Sequence, residues 1–158
     1  MDNLVWDLAG VDGLAVARQL FGEDVCHLAP FQSLETTLQR QDCSVLRLCD
    51  RNFRIVYSGA LHQLVGPLEA NIWLNQFDWL VRLLLPTTML ATISAQATVR
   101  PPHRLINIPN HQAVPIQLQT IPLLLWQHSW QGEPTLELHA AKKDVETLTI
   151  LLRDLPSI

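Results

Sequence analysis

The strongest pattern in this 158-residue sequence lies in its last third and limits the folds that the chain can adopt. Leu123 to Trp130 and Thr135 to His139 are apolar-rich runs, and Gln131 to Pro134 between them favour a turn, which predicts a β-hairpin. Beyond the hairpin, four apolar residues recur at the spacing of an amphipathic helix: Val145, Leu148, Leu152 and Leu155. A hairpin followed by a helix with one apolar face is typical of a sheet with helices packed on it.

The middle of the sequence carries further strand patterns. Val45 to Tyr57 contains two β-rich runs around a polar turn, and Leu68 to Leu74 alternates apolar and polar residues. Asn75 then precedes apolar residues at helical spacing, which predicts a helix that ends at Pro86. We therefore expect an α+β fold, with a mostly antiparallel sheet of about five strands and amphipathic helices packed on it.

The length predicts a single domain over residues 1–158, with two less regular parts. Residues 1–42 are expected to be helical, with one short helix capped by Asp12 and stopped by Gly22 and another beginning at Ser33. Residues 87–115 contain several prolines and lose periodicity, so we expect an irregular excursion there, with a helical turn at Met89 to Ile93.

The composition indicates that part of the surface contacts another protein. The chain is 48% hydrophobic and has five Trp, but only 16% of its residues are charged, against about 25% in an average soluble domain. Exposed Trp beside few charges is typical of an interface. The interface candidates are Trp73, Trp130, Trp6 and Leu151. Trp79 and Trp126 are instead expected in the core.

Other partners and locations are disfavoured. The net charge is −4 and the largest basic cluster is the pair Lys142 and Lys143, so nucleic acid is not expected as a partner. The longest apolar stretch, Phe77 to Ile93, is interrupted by charges and a proline, so membrane insertion is not expected either. Three Cys and an amino terminus without a secretory pattern predict a cytoplasmic protein.

The sequence contains no catalytic signature. The spacing of the Cys and His residues does not match a zinc site, no nucleophile elbow is present, and Gly10 to Gly13 lacks the features of a phosphate loop. Four carboxylates that could act as acid and base are expected on solvated faces: Glu133, Glu137, Asp144 and Glu146. We therefore predict no catalytic, metal-binding or cofactor-binding residues and a chain that is not an enzyme.

Three stretches resemble the amino-terminal region of the cytoplasmic-ring, or sorting-platform, proteins of type III secretion systems. They are the hairpin Val45 to Tyr57, the segment Ile72 to Leu80, and Trp130 to Leu138 followed by Leu151 to Pro156. The resemblance implies a bacterial protein-transport subunit that binds other ring proteins and has no catalytic activity. It assigns no individual residue to a site.

A second resemblance is to the COMM domain of eukaryotic trafficking scaffolds, in Phe77 to Arg82 and in Thr135 to Leu155. It implies a dimerising scaffold. Our first hypothesis is thus a non-enzymatic interaction subunit of a larger cytoplasmic assembly, homo- or hetero-oligomeric. The alternatives are the COMM-like scaffold and a small enzyme or ligand-binding domain, with a pocket under residues 87–115 lined by His103, His111 and a Cys.

Overall fold

A computed structural model describes residues 4–156 and divides the chain into two compact units, Met1–Asp78 and Trp79–Ile158. Each unit contains one five-stranded antiparallel sheet with helices beside it. The predicted α+β class is confirmed. A single domain over the whole chain stays a prediction.

The first unit forms its sheet from strands in the order β2-β3-β4-β1-β5. Its elements are β1 (Leu4–Ala9), α1 (Gly13–Phe21), β2 (Ser33–Leu38), β3 (Gln41–Cys49), β4 (Asn52–Tyr57), α2 (Leu61–Val65) and β5 (Trp73–Gln76). Alternate residues of β1 and β4, such as Trp6, Leu8 and Phe53, point to one face and pack with Val16 and Phe21 of α1. The hairpin predicted over residues 45–57 is confirmed as β3 and β4.

The prediction that residues 1–42 are helical is wrong for two segments. Leu4–Ala9 is the strand β1, which lies between β4 and β5. Ser33 does not cap a helix but begins β2, where it pairs with Leu46 of β3. Two consecutive β-branched residues, Thr36 and Thr37, favour an extended backbone in this segment. The pairing partner, which lies later in the chain, decides the conformation.

Helix α1 begins at the predicted position, but the Asp12 side chain does not cap it as predicted. Helix α1 begins directly after Asp12 and is followed by Gly22, which has a φ of 93°. The Asp12 side chain makes no capping hydrogen bond. Its Oδ2 instead accepts a hydrogen bond of 2.7 Å from the backbone N–H of Asn71. Asp12 thus joins the loop after β1 to the loop before β5.

Arg47 of β3 is a buried guanidinium that binds backbone carbonyls. Its Nη1 donates to the carbonyl oxygens of Leu28 and Cys26 at 2.8 and 3.3 Å, and its Nη2 donates to that of Asp50 at 2.9 Å. The Nε donates to the carbonyl oxygen of Cys49 at 3.3 Å. One side chain therefore connects the loop that precedes β2 to the turn that follows β3.

The second unit forms its sheet in the order β6-β10-β9-β8-β7. Its elements are β6 (Leu80–Leu85), α3 (Met89–Gln96), β7 (Ala97–Thr98), β8 (Gln112–Leu118), β9 (Ile121–Trp130), β10 (Glu133–Ala141) and α4 (Val145–Arg153). The closing hairpin and helix predicted from the sequence are confirmed, and Leu148 of α4 is fully buried beside Leu136 and Leu138 of β10. The helical turn predicted at Met89 is the start of α3.

The helix predicted from Asn75 to Leu85 is wrong. Asn75 belongs to β5 and pairs with Asp7, while Leu80–Leu85 is β6 and pairs with β10. A six-residue apolar run fits a buried strand as well as a helix, and its period does not distinguish them. The irregular excursion is also shorter than predicted, since residues 87–115 include α3, β7 and the start of β8.

The two units share one order of connections. In each, a strand and a helix precede three consecutive antiparallel strands and another helix, and in the second unit the two-residue strand β7 lies between the first helix and these three strands. The first strand pairs with the last of the three: β2-β3-β4-β1 and β8-β9-β10-β6. The sequence shows no convincing internal repeat, so this repetition lies in the topology. The described helices are at most nine residues long, and none is able to cross a membrane.

Candidate functional site

The second unit contains two features with chemical character, a buried polar cluster and an open cleft. The polar cluster, which we call the Glu137 cluster, consists of Arg82, His128, Glu137 and His139. Leu136 and Leu138 point into the core, so Glu137 and His139 point to the opposite face of β10. The neighbouring strands β6 and β9 supply Arg82 and His128.

Both carboxylate oxygens of Glu137 accept two hydrogen bonds. Arg82 Nε donates to Oε1 at 2.6 Å and its Nη2 donates to Oε2 at 3.1 Å. Nε2 of His139 lies 2.6 Å from Oε1, and Nε2 of His128 lies 2.6 Å from Oε2. Glu137 is fully buried, so these contacts replace water around the carboxylate.

The electrostatics of the cluster keep Glu137 ionised. Burial by itself raises the pKa of Glu137, but the hydrogen bonds from His128, His139 and Arg82 outweigh burial and hold the pKa well below its ordinary value of 4.5. Each imidazole donates its Nε2–H to this carboxylate, and the guanidinium balances the negative charge. The cluster is thus saturated, and its role is structural.

The aromatic residues around the cluster complete its enclosure. The Trp126 ring stacks on His128 with centroids 3.9 Å apart and meets His139 edge-on at 5.8 Å. The Arg82 guanidinium lies 5.0 Å from the centroid of the Trp130 ring. Trp126 is in the core as predicted. Glu137 was expected on a solvated face, and that expectation is wrong because Arg82, 55 residues earlier in the chain, pairs with it.

Two His and one Glu converge here, as they do in many metal sites. Within residues 4–156, however, no group of three or more His, Cys, Asp or Glu side chains is arranged to hold a metal ion. Both Nε2 atoms and both carboxylate oxygens point at each other, so their lone pairs and protons are already used. The geometry fits an internal hydrogen-bond network.

The second feature is an open cleft of about 480 Å³ on the loop that follows β7, which we call the proline cleft. Its lining residues are Thr98, Arg100, Pro101, Pro102, His103, Pro115, Ile116, Gln117 and Pro122. A second cleft of about 330 Å³ adjoins it and shares Pro102 and His103. Arg104 lines this adjoining cleft and Arg100 lines the proline cleft.

The pocket predicted under residues 87–115 is therefore present, with different residues from those expected. His103 lines both clefts. His111 lines neither, and its Nε2 lies 3.3 Å from the side-chain nitrogen of Asn110. The expected Cys is not found among the residues that line either cleft. Sequence reasoning missed Arg100 and Gln117, for which no local motif is visible.

The three cysteines differ in burial, and only Cys43 has a perturbed thiol. Cys43 is buried, and burial together with the nearby Glu35 carboxylate raises the pKa of its thiol well above the ordinary value. Cys49 is exposed and Cys26 is half-buried. Cys43 thus remains a protonated thiol in the core of the first unit.

The four interface candidates have different exposures. Trp73 on β5 has an exposed fraction of 68%. Trp6 is buried in the core of the first unit, where its Nε1–H donates to the Tyr57 carbonyl oxygen, and Trp130 is only 8% exposed. Leu151 is half-buried against the core of the second unit. The structure therefore contradicts the accessibility expected of Trp6 and Trp130.

Trp79 also departs from its prediction. It was expected in the protein core, beside the apolar stripe of a helix, but it lies in the segment between β5 and β6 and is 51% exposed.

The fold is one that also occurs in solved metabolic enzymes, although no family model and no curated sequence matches the chain. A glycine cleavage system aminomethyltransferase T from Bartonella henselae aligns over 96% of this chain with 14% identity and a TM-score of 0.73. A chain of the heterotetrameric sarcosine oxidase from Corynebacterium sp. U-96, solved in complex with pyrrole 2-carboxylate, aligns over 96% with 18% identity and a TM-score of 0.70. The present chain spans 43% of the aminomethyltransferase chain and 78% of the sarcosine oxidase chain.

These likenesses correct the predictions drawn from short sequence stretches. The structural neighbours are enzymes, so the resemblances to type III secretion ring proteins and to the COMM domain are wrong. The same finding overturns the hypothesis of a non-enzymatic secretion scaffold.

Proposed function

We propose that this chain is a small-molecule-binding domain of a metabolic enzyme, and that its ligand occupies the proline cleft. The observation that carries the proposal is the likeness of 96% of the chain to two enzymes, with TM-scores of 0.73 and 0.70. Their names concern glycine, aminomethyl transfer and sarcosine. Small amines and amino acids are therefore the first ligands to test.

The properties of the proline cleft support this proposal. Its volume of about 480 Å³ falls within the range of roughly 300–1,000 Å³ that is usual for small-molecule sites. Proline rings and Ile116 provide an apolar wall, while Arg100 and Gln117 provide polar groups. A mostly apolar wall with a few polar groups that orient the ligand is the usual composition of a binding site.

A thermal-shift screen tests the proposal. The chain is heated with glycine, sarcosine, pyrrole 2-carboxylate and a set of uncharged compounds of similar size. A ligand at about 100 times its Kd stabilises the folded state by about 2.7 kcal/mol, which raises the Tm by about 5–10 °C for a chain of this size.

Two variants locate the binding. Pro122→Trp fills the proline cleft and is expected to abolish the shift, whereas Pro134→Trp places the same side chain on the exposed start of β10 and is expected to preserve it. If no compound raises the Tm, or if Pro122→Trp responds like wild type, the proposal fails.

We also propose that the chain works beside other subunits in the cytoplasm. The matched sarcosine oxidase is heterotetrameric, the present chain is poor in charge, and Trp73 is an exposed large apolar residue. The three free cysteines are compatible with a reducing compartment. Nucleic acid and membrane insertion are not part of the proposal.

Light scattering on the complex purified from its own cells tests this assembly. We expect a fixed mass above that of the chain alone, lost in Trp73→Ser and retained in Trp79→Ser, which changes another exposed Trp. Recovery of the wild-type chain only as a monomer would contradict it.

A further inference from the structure

We propose that the proline cleft selects a small carboxylate with an apolar body, and that Arg100 is the residue that pairs with the carboxylate. This inference rests on the proposed function and adds the chemical class of the ligand. It is argued from the distribution of charge around the cleft, from the lining residues and from the rigidity of the wall.

The charge distribution around the cleft is one-sided. The whole chain has 15 acidic and 11 basic residues, yet no Asp or Glu occurs between Asp78 and Glu133. This acid-free stretch includes every residue that lines the proline cleft. A cleft lined by one sign of charge concentrates ligands of the opposite sign. The acid-free stretch thus favours an anion in a protein whose net charge is negative.

The arginines of this stretch differ in whether they form an ion pair. Arg82 is paired with Glu137 at 2.6 Å and is nearly buried. Arg100 and Arg104 form no ion pair with any residue between 4 and 156. Each lines one of the two adjoining clefts. Arg100 therefore lines the larger cleft, and no carboxylate among residues 4–156 balances the charge of its guanidinium.

The chemistry of Arg100 suits a carboxylate more than a neutral polar group. A guanidinium presents parallel N–H donors that match the two oxygens of a carboxylate, and such charge-assisted bonds are the stronger ones. The Gln117 side chain, also in the lining, adds a neutral donor and acceptor. The polar part of the lining thus suits one anionic group.

The remainder of the wall suits an apolar ligand body. Four of its residues are prolines, whose rings have fixed φ and no backbone N–H: Pro101, Pro102, Pro115 and Pro122. A rigid wall loses little conformational entropy when a ligand binds. Pyrrole 2-carboxylate, the ligand named with the sarcosine oxidase neighbour, has both required parts and serves as the probe.

Isothermal titration with matched ligands tests the proposal. Wild type is titrated with pyrrole 2-carboxylate, benzoate and acetate, and with the uncharged pyrrole 2-carboxamide. We expect the carboxylate to bind at least about ten-fold more tightly than the carboxamide, because one charge-assisted hydrogen bond is worth about that factor. The preference should weaken between about 20 mM and about 500 mM NaCl, since salt screens exposed charges.

Three variants assign the effect to one residue. Arg100→Gln should remove the preference for the carboxylate, and Arg100→Lys should retain part of it. Arg104→Gln removes the same charge from the adjoining cleft and should change the affinity by less than about three-fold. Circular dichroism verifies that each variant is folded, which we expect because both arginines are exposed.

The outcomes separate this inference from the proposed function. Equal affinity for carboxylate and carboxamide, or equal losses in Arg100→Gln and Arg104→Gln, overturns the inference. If uncharged compounds then stabilise the chain and Pro122→Trp prevents this, the proposed function still stands. If neither the three carboxylates nor the uncharged compounds bind, both proposals fail.

Discussion

Replacing Glu137 by Gln should destabilise the second unit strongly, because the Glu137 cluster depends on one negative charge. The carboxylate accepts four hydrogen bonds, two on each oxygen, from Arg82, His128 and His139. In Glu137→Gln one oxygen becomes an NH₂ group, which faces two donors instead of accepting from them. The Arg82 guanidinium then lacks its counter-charge in a buried place.

The size of the loss follows from the contacts. Two charge-assisted hydrogen bonds are removed, each worth about 1.5–3 kcal/mol. Breaking a buried ion pair by removing one partner costs about 3–5 kcal/mol in other proteins. We therefore expect the free energy of unfolding to fall by about 3–5 kcal/mol at about pH 7. Glu133→Gln makes the same chemical change at the exposed start of β10, and should cost less than about 0.5 kcal/mol.

The loss should also depend on pH with a definite sign. The pKa of Glu137 in the folded state lies well below its ordinary value of 4.5, so folding favours the ionised form. This stabilisation is complete above the unfolded pKa and is lost as the pH falls below it toward the folded pKa. The difference between wild type and Glu137→Gln should therefore be largest near pH 7 and shrink in acid below about pH 4.5.

Urea denaturation followed by Trp fluorescence measures both effects, at about pH 7 and about pH 4. A loss of less than about 1 kcal/mol at pH 7 would refute the account of the cluster. So would a loss that is the same at both pH values.

Three further predictions concern the first unit. Arg47→Met should lower the free energy of unfolding by about 2–4 kcal/mol in urea denaturation, since it leaves buried carbonyls without donors; a loss below about 0.5 kcal/mol would contradict this. Gly13→Ala should lower the Tm, because the added Cβ would lie 2.3 Å from the Arg51 carbonyl oxygen. Gly66→Ala is the control and should leave the Tm unchanged, because its Cβ would meet nothing within 4 Å. Equal Tm values for the two variants would contradict the close packing at Gly13. In native protein, mass spectrometry after iodoacetamide treatment should find Cys49 modified and Cys43 unmodified, and rapid modification of Cys43 would show that its site is not closed.

The parts of the fold that the sequence predicts well are those set by local signals. The closing hairpin has turn residues between two apolar-rich runs, and α4 has a clear apolar stripe, so neither needs information from distant residues. Segment 80–85 is different. It is a strand because it pairs with β10, about fifty residues later, and its own six residues do not specify that partner.

The dependence on contacts between residues distant in sequence also explains the errors at the candidate site and in the family resemblance. Glu137 looked solvated because Arg82 is remote in sequence and only the β6–β10 pairing brings the two together. The secretion and COMM resemblances both used residues near Phe77 to Leu80, which were interpreted as one element. In the structure these residues follow the end of β5 at Gln76, form the connecting segment and begin β6 at Leu80.

The central claim is that the proline cleft binds a small molecule, and an amide NMR titration of ¹⁵N-labelled protein with pyrrole 2-carboxylate and with the uncharged pyrrole 2-carboxamide tests it most directly. The account predicts saturable shifts with at least one of the two compounds, concentrated in the amides of Thr98, Arg100, His103, Ile116 and Gln117. The expected affinity is in the millimolar range or tighter, about −4 kcal/mol or more. No saturable shifts with either compound up to about 10 mM, or shifts confined to residues 4–78, would contradict it.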